Sequence, residues 1–321
     1  MVDYHYSQKE NQVSTIPTYF LVEVREPSDE FKKFSRMSLN DFEYLLLRKA
    51  IPARIRLVIT LRYLATGDDF ISLHYLFKVS PQIISEIIAE VCHALCEVLK
   101  DEIKIPSCPE EWLRIERGFA RKFPRAVGSI DGKHIVLDCP FNSGSAYYNY
   151  KRTFSIVLLA FVDNVHKQLK FTATASFALS EHLMKPYSGQ HNKYSEERKF
   201  NTKLSSGRVV VENTFGLLAA RFRVFRKPIP LQPEKSSLIT HTCNTCILLH
   251  NFLRRSSTSL HIYTPPGSID MYDDDGVLIQ PGSWRTNQDN TSAIRNLRTV
   301  PRRPANSAIE IRKEFTKYVF K

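Results

Sequence analysis

The feature that most constrains this chain is a change of hydrophobic period along its length. Ile83, Ile84, Ile87, Ile88, Val91, Leu95 and Val98 recur at three- and four-residue steps, which lines one face of an α-helix. Met37-Ser-Leu-Asn-Asp-Phe-Glu-Tyr-Leu-Leu-Leu and Ile55 to Ala65 read the same way. From Val127 the pattern becomes β-rich, first Val127-Gly-Ser-Ile-Asp-Gly-Lys-His-Ile-Val-Leu and then Ile156 to Val162. Helical spacing returns at Val209, Val210, Phe215, Leu218 and Phe222. The expected fold is α/β: a mixed sheet opening at Val127 with helices near 208–225 and 237–253, preceded by an all-helical block.

Composition shifts divide the chain into a segment 1–36, a helical region 37–122, a region 123–255 that would carry the chemistry, and a tail 256–321. Pro265, Pro266, Gly267, Gly276, Pro281 and Gly282 make the tail read as loop until a short helical pattern from Ala308 to Val319. With 43% hydrophobic and 24% charged residues, a globular core is expected. The longest apolar run, Ile156 to Val162, is far too short to cross a bilayer, and the N-terminus lacks the apolar core of a signal peptide. Six scattered cysteines fit a reducing compartment, so the expectation is a cytosolic or nuclear protein without a membrane.

A formal charge of +12 favours polyanionic partners, nucleic acid foremost. Arg295, Arg298, Arg302, Arg303, Arg312, Lys313, Lys317 and Lys321 enrich the tail, which could track phosphates or be a solvated tail. Asp270, Asp273, Asp274 and Asp275 form an acidic patch. Ser72 to Ile88 invites a helix-turn-helix reading, with Ser80 as N-cap and Pro81 in the first turn. Its second helix would present Gln82, Ser85, Glu86 and Glu90 to solvent, which suits packing better than facing a phosphate backbone.

Asp131 interrupts a β-rich run. An acid in an apolar strand must be paired, so it is a metal ligand or a structural acceptor, unless Asp131-Gly132 is simply a hairpin turn. A phosphate loop is excluded, because Gly128 to Lys133 is one residue short and His134 stands where Ser or Thr must bind magnesium. Glu212 sits among the apolar positions of a helix, or is a surface acid near that helix's N-terminus. His241, Cys243, Cys246 and His250 resemble a zinc cluster, but at helical spacing on an apolar helix they read as packing residues.

Several segments together carry a resemblance. Gly128-Ser-Ile-Asp-Gly-Lys-His-Ile, Asn142-Ser-Gly-Ser-Ala-Tyr-Tyr-Asn-Tyr-Lys, Phe154-Ser-Ile-Val-Leu-Leu-Ala-Phe-Val-Asp, Leu183-Met-Lys-Pro-Tyr-Ser-Gly, Phe200-Asn-Thr-Lys-Leu-Ser, Val210-Val-Glu-Asn-Thr-Phe-Gly-Leu-Leu-Ala and Leu248-Leu-His-Asn-Phe-Leu are similar, in order, to the PIF/Harbinger transposase family. That family includes Harbinger-derived nucleases of the DDE superfamily. The resemblance implies an RNase H-like core over 123–255 and an Asp-Asp-Glu triad that binds divalent Mg²⁺ or Mn²⁺.

Asp131 matches the first acid and Glu212 the last, so both are expected as catalytic metal ligands. The middle acid is missing. The chain reads Thr174-Ala-Ser-Phe177 there, and the stretch Asp163 to Thr174 is too short for the helix and core strand that the family places before Leu183-Met-Lys-Pro-Tyr. The core is therefore expected to be incomplete, with Asp163 as a stand-in ligand or an ordinary turn residue. Two readings follow: a metal-dependent nuclease acting on DNA phosphodiesters with a degraded triad, or a catalytically dead DNA- or protein-binding module. The resemblance also implies a nuclear setting and a Myb-like DNA-binding partner protein.

Overall fold

A computed structural model describes residues 51–139, 144–145, 147–163, 169–172, 179–229, 236–273, 278–286, 293–297 and 304–319. Readings that fall on 1–50, on Thr174 or on Asp274 and Asp275 lie outside them. The chain divides into units 1–58 and 59–321. Of the first, only 51–58 is described, and it contains the opening turns of α1 (Ala53–Thr66).

The helical block continues with α2 (Phe70–Phe77), α3 (Pro81–Val98) and α4 (Pro109–Phe119). Ser80 caps α3, its hydroxyl accepting from the Ile83 N–H, with Pro81 in the first turn. Lys78 in left-handed backbone turns the chain, and α2 and α3 meet at 99°. Packing is the task of this helix pair. Ile84, Ile87, Ile88 and Cys92 are buried on α3, and Thr245 of α6 (Ser236–Arg255) donates to the Cys92 carbonyl at 3.0 Å. No single helix among the described residues is long and apolar enough to cross a membrane.

The main sheet has strands β1 (Ser129–Leu137), β2 (Phe154–Val162), β3 (Leu169–Thr172) and, far along the chain, β6 (Ile294–Asn296). Their order is β3-β2-β1-β6, and each pair is antiparallel. The expected mixed sheet is corrected accordingly. Among the described residues, parallel pairing in this sheet is confined to one bridge, Leu137 to Ile229. Asp131-Gly132 is not a hairpin turn, because both lie within β1, opposite Ala160 and Leu159.

Helix α5 (Glu196–Arg221) begins twelve residues before the expected start. Ser195 caps it by accepting from the Arg198 N–H, and Glu196 and Glu197 favour the positive end of the helix dipole. Glu212 therefore lies well inside a 26-residue helix, which overturns the reading of it as an N-terminal surface acid.

The stretch from 256 onward is no peripheral tail. It holds α7 (Leu260–Tyr263), β4 (Met271–Tyr272), β5 (Leu278–Gln280), α8 (Ser283–Thr286), β6 and α9 (Asn306–Val319). Phe315 of α9 stacks on Phe123 at 6.0 Å, in a cluster with the buried Phe119 and Phe200. Trp284 of α8 sits on Gly216, where an added Cβ would come within 2.3 Å of the indole.

Candidate active site

Alternation along β1 puts Asp131 and Lys133 on one face of the sheet, and α5 packs across that face, with the Lys133 ammonium 5.5 Å from the Phe215 ring centre. Asp131 is only 16% exposed, and its Oδ2 lies 3.0 Å from Lys133 Nζ. On α5, Arg208 and Glu212 are four residues apart and so share a helix face, with Nε to Oε1 at 3.4 Å. The same guanidinium reaches back to β1, Nη2 lying 3.6 Å from Asp131 Oδ1. Strand and helix thus bring both sequence-selected acids onto one arginine.

Asp163 does not join them. It follows directly on Val162, which pairs with Ser129, so strand alternation assigns it to the sheet face opposite Asp131. Its side chain is buried. Among the described residues no three His, Cys, Asp or Glu side chains stand close enough to share a metal ion. The expected metal set Asp131, Glu212 and Asp163 is not assembled.

The neighbour of β1 decides what else can enter the site. The edge of β1 away from β2 is occupied by β6, with Lys133 opposite Asn296, His134 opposite Arg295 and Ile135 opposite Ile294. Leu297 fills the space above Gly132, where a Cβ would meet its Cδ1 at 2.3 Å. Lys133 Nζ donates to Asn296 Oδ1. β6 carries no acid.

A two-metal site needs several uncompensated oxygen ligands around two dications. The residues here do not fit that requirement. Among the described residues the site has two carboxylates, both already facing cations, and the strand beside them supplies the Asn296 amide to their face.

The family comparisons bear on the same segments. Residues 163–251 match the family described as DDE superfamily endonuclease. The likeness to DDE superfamily endonucleases is thus carried by that segment. The segment includes Glu212 and begins after the strand that bears Asp131. Over 241 residues, 63% of this chain and 68% of the relative, the sequence is 23% identical to the protein named "Putative nuclease HARBI1" from Bos taurus. No solved structure matches. Family and relative agree with the resemblance carried by the motifs.

Within the matched segment, the motif residues beside Glu212 are structural. Asn213 Oδ1 accepts from the Asp270 N–H at 3.0 Å and from Trp284 Nε1 at 2.9 Å, which docks Asp270 and Trp284 onto α5. In Leu248-Leu-His-Asn-Phe-Leu, His250 Nδ1 shares a hydrogen bond of 2.7 Å with the Tyr263 hydroxyl, and burial raises the Tyr263 pKa, so the phenol stays neutral. Asn251 donates to the Glu102 carbonyl, and Arg255 pairs with the Glu102 carboxylate.

The zinc reading is set aside. Cys243 and Cys246 are buried, burial pushes the Cys243 thiol up to about 12, and His241 instead packs edge-on against His93.

Two residues were missed from sequence. Arg208 had a readable signal in its four-residue spacing from Glu212, and Lys133 in its two-residue spacing from Asp131.

The ion pairs make a prediction that opposes a catalytic acid cluster. Acids that repel one another in a working site stabilise the fold when removed. Asp131→Ala instead leaves the 11% exposed Lys133 ammonium without its carboxylate, so unfolding free energy should fall by about 1–3 kcal/mol. Urea denaturation measures it, and a stabilised variant would contradict the ion-pair description.

Proposed function

We propose that this chain is a transposase-derived protein on an incomplete RNase H-like nuclease core that holds DNA without cutting it. The observation that carries the reading is Arg208 joining Asp131 to Glu212 beside a strand, β6, that contributes no acid. Three further features support it. The antiparallel order β3-β2-β1 with the first acid on β1 fits the opening of such a core. The DDE-like segment and the HARBI1 relative argue for a nuclease ancestor. The net charge of +12 suits a phosphate backbone. A nuclear location and a Myb-like partner belong to this reading through the family resemblance.

The test is a supercoiled-plasmid nicking assay with Mg²⁺ and with Mn²⁺, run on the chain, on Asp131→Ala and on Thr174→Asp. No metal-dependent nicking is expected from any of them. Thr174→Asp should not rescue, because a ligand without its supporting strand is misplaced, and about 1 Å can cost roughly 100-fold in rate. Nicking by the unmodified chain that vanishes in Asp131→Ala would overturn the non-cleaving reading and restore the alternative, a metal-dependent nuclease. In parallel, duplex binding should weaken steeply with salt, the logarithm of affinity falling by about 0.9 per neutralised phosphate for each logarithmic step. An affinity that stays flat between low and moderate salt would remove the DNA half of the proposal.

A further inference from the structure

The sheet face opposite Asp131 carries a group of side chains that the acid site does not use. His134 lies on this face, opposite Arg295 on one neighbouring strand and next in register to Ser155 on the other. The loop before β2 folds back toward it and is knotted by one side chain. Asn149 Nδ2 donates to Thr153 Oγ1 at 3.0 Å and to Ser155 Oγ at 2.7 Å, while its Oδ1 accepts from the Lys151 N–H at 2.8 Å. This rigid loop presents Tyr148 and Tyr150, each about half exposed at 50% and 51%, next to Lys151 and Arg152. Tyr150 meets the His134 ring edge-on at 5.8 Å, and Lys151 Nζ bonds the Asn296 carbonyl at 2.7 Å. No acid occurs between Pro140 and Val162, nor between Ala293 and Ala308.

A hydrogen-bond chain holds the His134 ring through Nδ1. Ser155 Oγ accepts from Asn149 Nδ2, and it shares a hydrogen bond of 2.9 Å with His134 Nδ1. The ring's Nε2 is buried, in a residue 5% exposed, and has no hydrogen-bond partner among the described residues. Burial, together with the Lys151 charge, lowers the His134 pKa and keeps the ring neutral. Nε2 is thus a buried polar atom without a partner, in the ring that Tyr150 covers edge-on.

We propose that Tyr148, Tyr150, Lys151, Arg152, Arg295 and His134 form a docking surface for single-stranded nucleic acid. Phosphate oxygens would meet the cations, and unpaired bases would lie on the tyrosine rings. The named side chains offer donors and aromatic faces and no carboxylate, and a duplex keeps its base faces stacked inside, so the unpaired strand is the form that fits. This deepens the DNA reading above and rests on it.

The experiment is fluorescence anisotropy on the full chain at one fixed salt concentration, with a labelled 12-nucleotide pyrimidine DNA and a labelled 20-base-pair duplex. An RNA oligonucleotide of the same sequence serves as competitor. Tyr148→Ala/Tyr150→Ala should weaken single-strand binding at least tenfold and change duplex binding by less than about threefold. Tyr148→Phe/Tyr150→Phe keeps both rings and should bind as the parent does, which also reports on folding. Equal competition by RNA assigns recognition to phosphate and base faces, and DNA-only binding adds discrimination at the sugar; both support the surface. Unchanged single-strand affinity in the alanine variant, or an equal loss on duplex, overturns this inference and leaves the DNA reading standing. Absence of binding to either nucleic acid overturns both.

Discussion

Asp270→Ala should lower the unfolding free energy by about 2–4 kcal/mol, measured by urea denaturation at neutral pH. The carboxylate is 1% exposed and takes the Arg285 fork, Nε to Oδ1 at 2.7 Å and Nη2 to Oδ2 at 2.6 Å, together with the Gly282 N–H at 2.7 Å. Truncation strands the Gly282 N–H and leaves Arg285, itself 39% exposed, to turn to solvent, which keeps the cost below that of a fully enclosed pair. Burial alone would raise the Asp270 pKa. The Arg285 fork and the Gly282 N–H outweigh it and hold the carboxyl below its ordinary value.

The pH dependence follows from that sign. A depressed folded pKa gives stability that is fully present above the unfolded value, about 3.9, and is lost as pH falls through the folded value. The parent chain should therefore lose more stability than Asp270→Ala on acidification below about pH 4. Parallel acid-unfolding curves for the two proteins would contradict the clamp.

The second large effect is expected from truncation after residue 292. It removes β6 and α9 together, which opens one edge of β1 and takes Phe315 off Phe123. The remaining sheet loses Lys133–Asn296 and the Leu297 cover over Gly132, and the cluster of Phe119, Phe123 and Phe200 is left part-exposed. The product should bind a hydrophobic dye, keep helical circular dichroism and unfold without a sharp transition, as loosely packed states do. A truncated chain that melts cooperatively within a few degrees of the full one would show that these elements are appended rather than integral.

What the sequence revealed and what it concealed divide along contact distance. Local chemistry was readable: the Ser80 cap, the helical stripe of Ile84, Ile87 and Ile88, and a strand around Asp131 are each specified within a few residues. β6 was not, because Ile294-Arg295-Asn296 is too short for a period, and only pairing with β1 makes it a strand. Glu212 stood out as an acid on an apolar helix, yet Arg208 acquires meaning only once β1 brings Asp131 to its other side. Asn213 and Gly216 were quoted as motif residues without a task, which emerged when Asp270 and Trp284 docked on them from 57 residues or more further along. The tail misled by composition, since its prolines and glycines mark turns between short ordered pieces that depend on the core for their shape.

The late arrival of β6 also bears on how the chain is made. Lys133 meets a partner 163 residues downstream, so a ribosome adding about 5–20 residues per second exposes the strand edge for roughly 8–30 s before that partner emerges. During that interval β1 and β2 can pair, but the outer edge of β1 offers open backbone groups to any other nascent strand. Slowing synthesis upstream of residue 293 should therefore increase aggregation of this chain in the cell, while slowing it after residue 319, when the last described helix has been synthesised, should not.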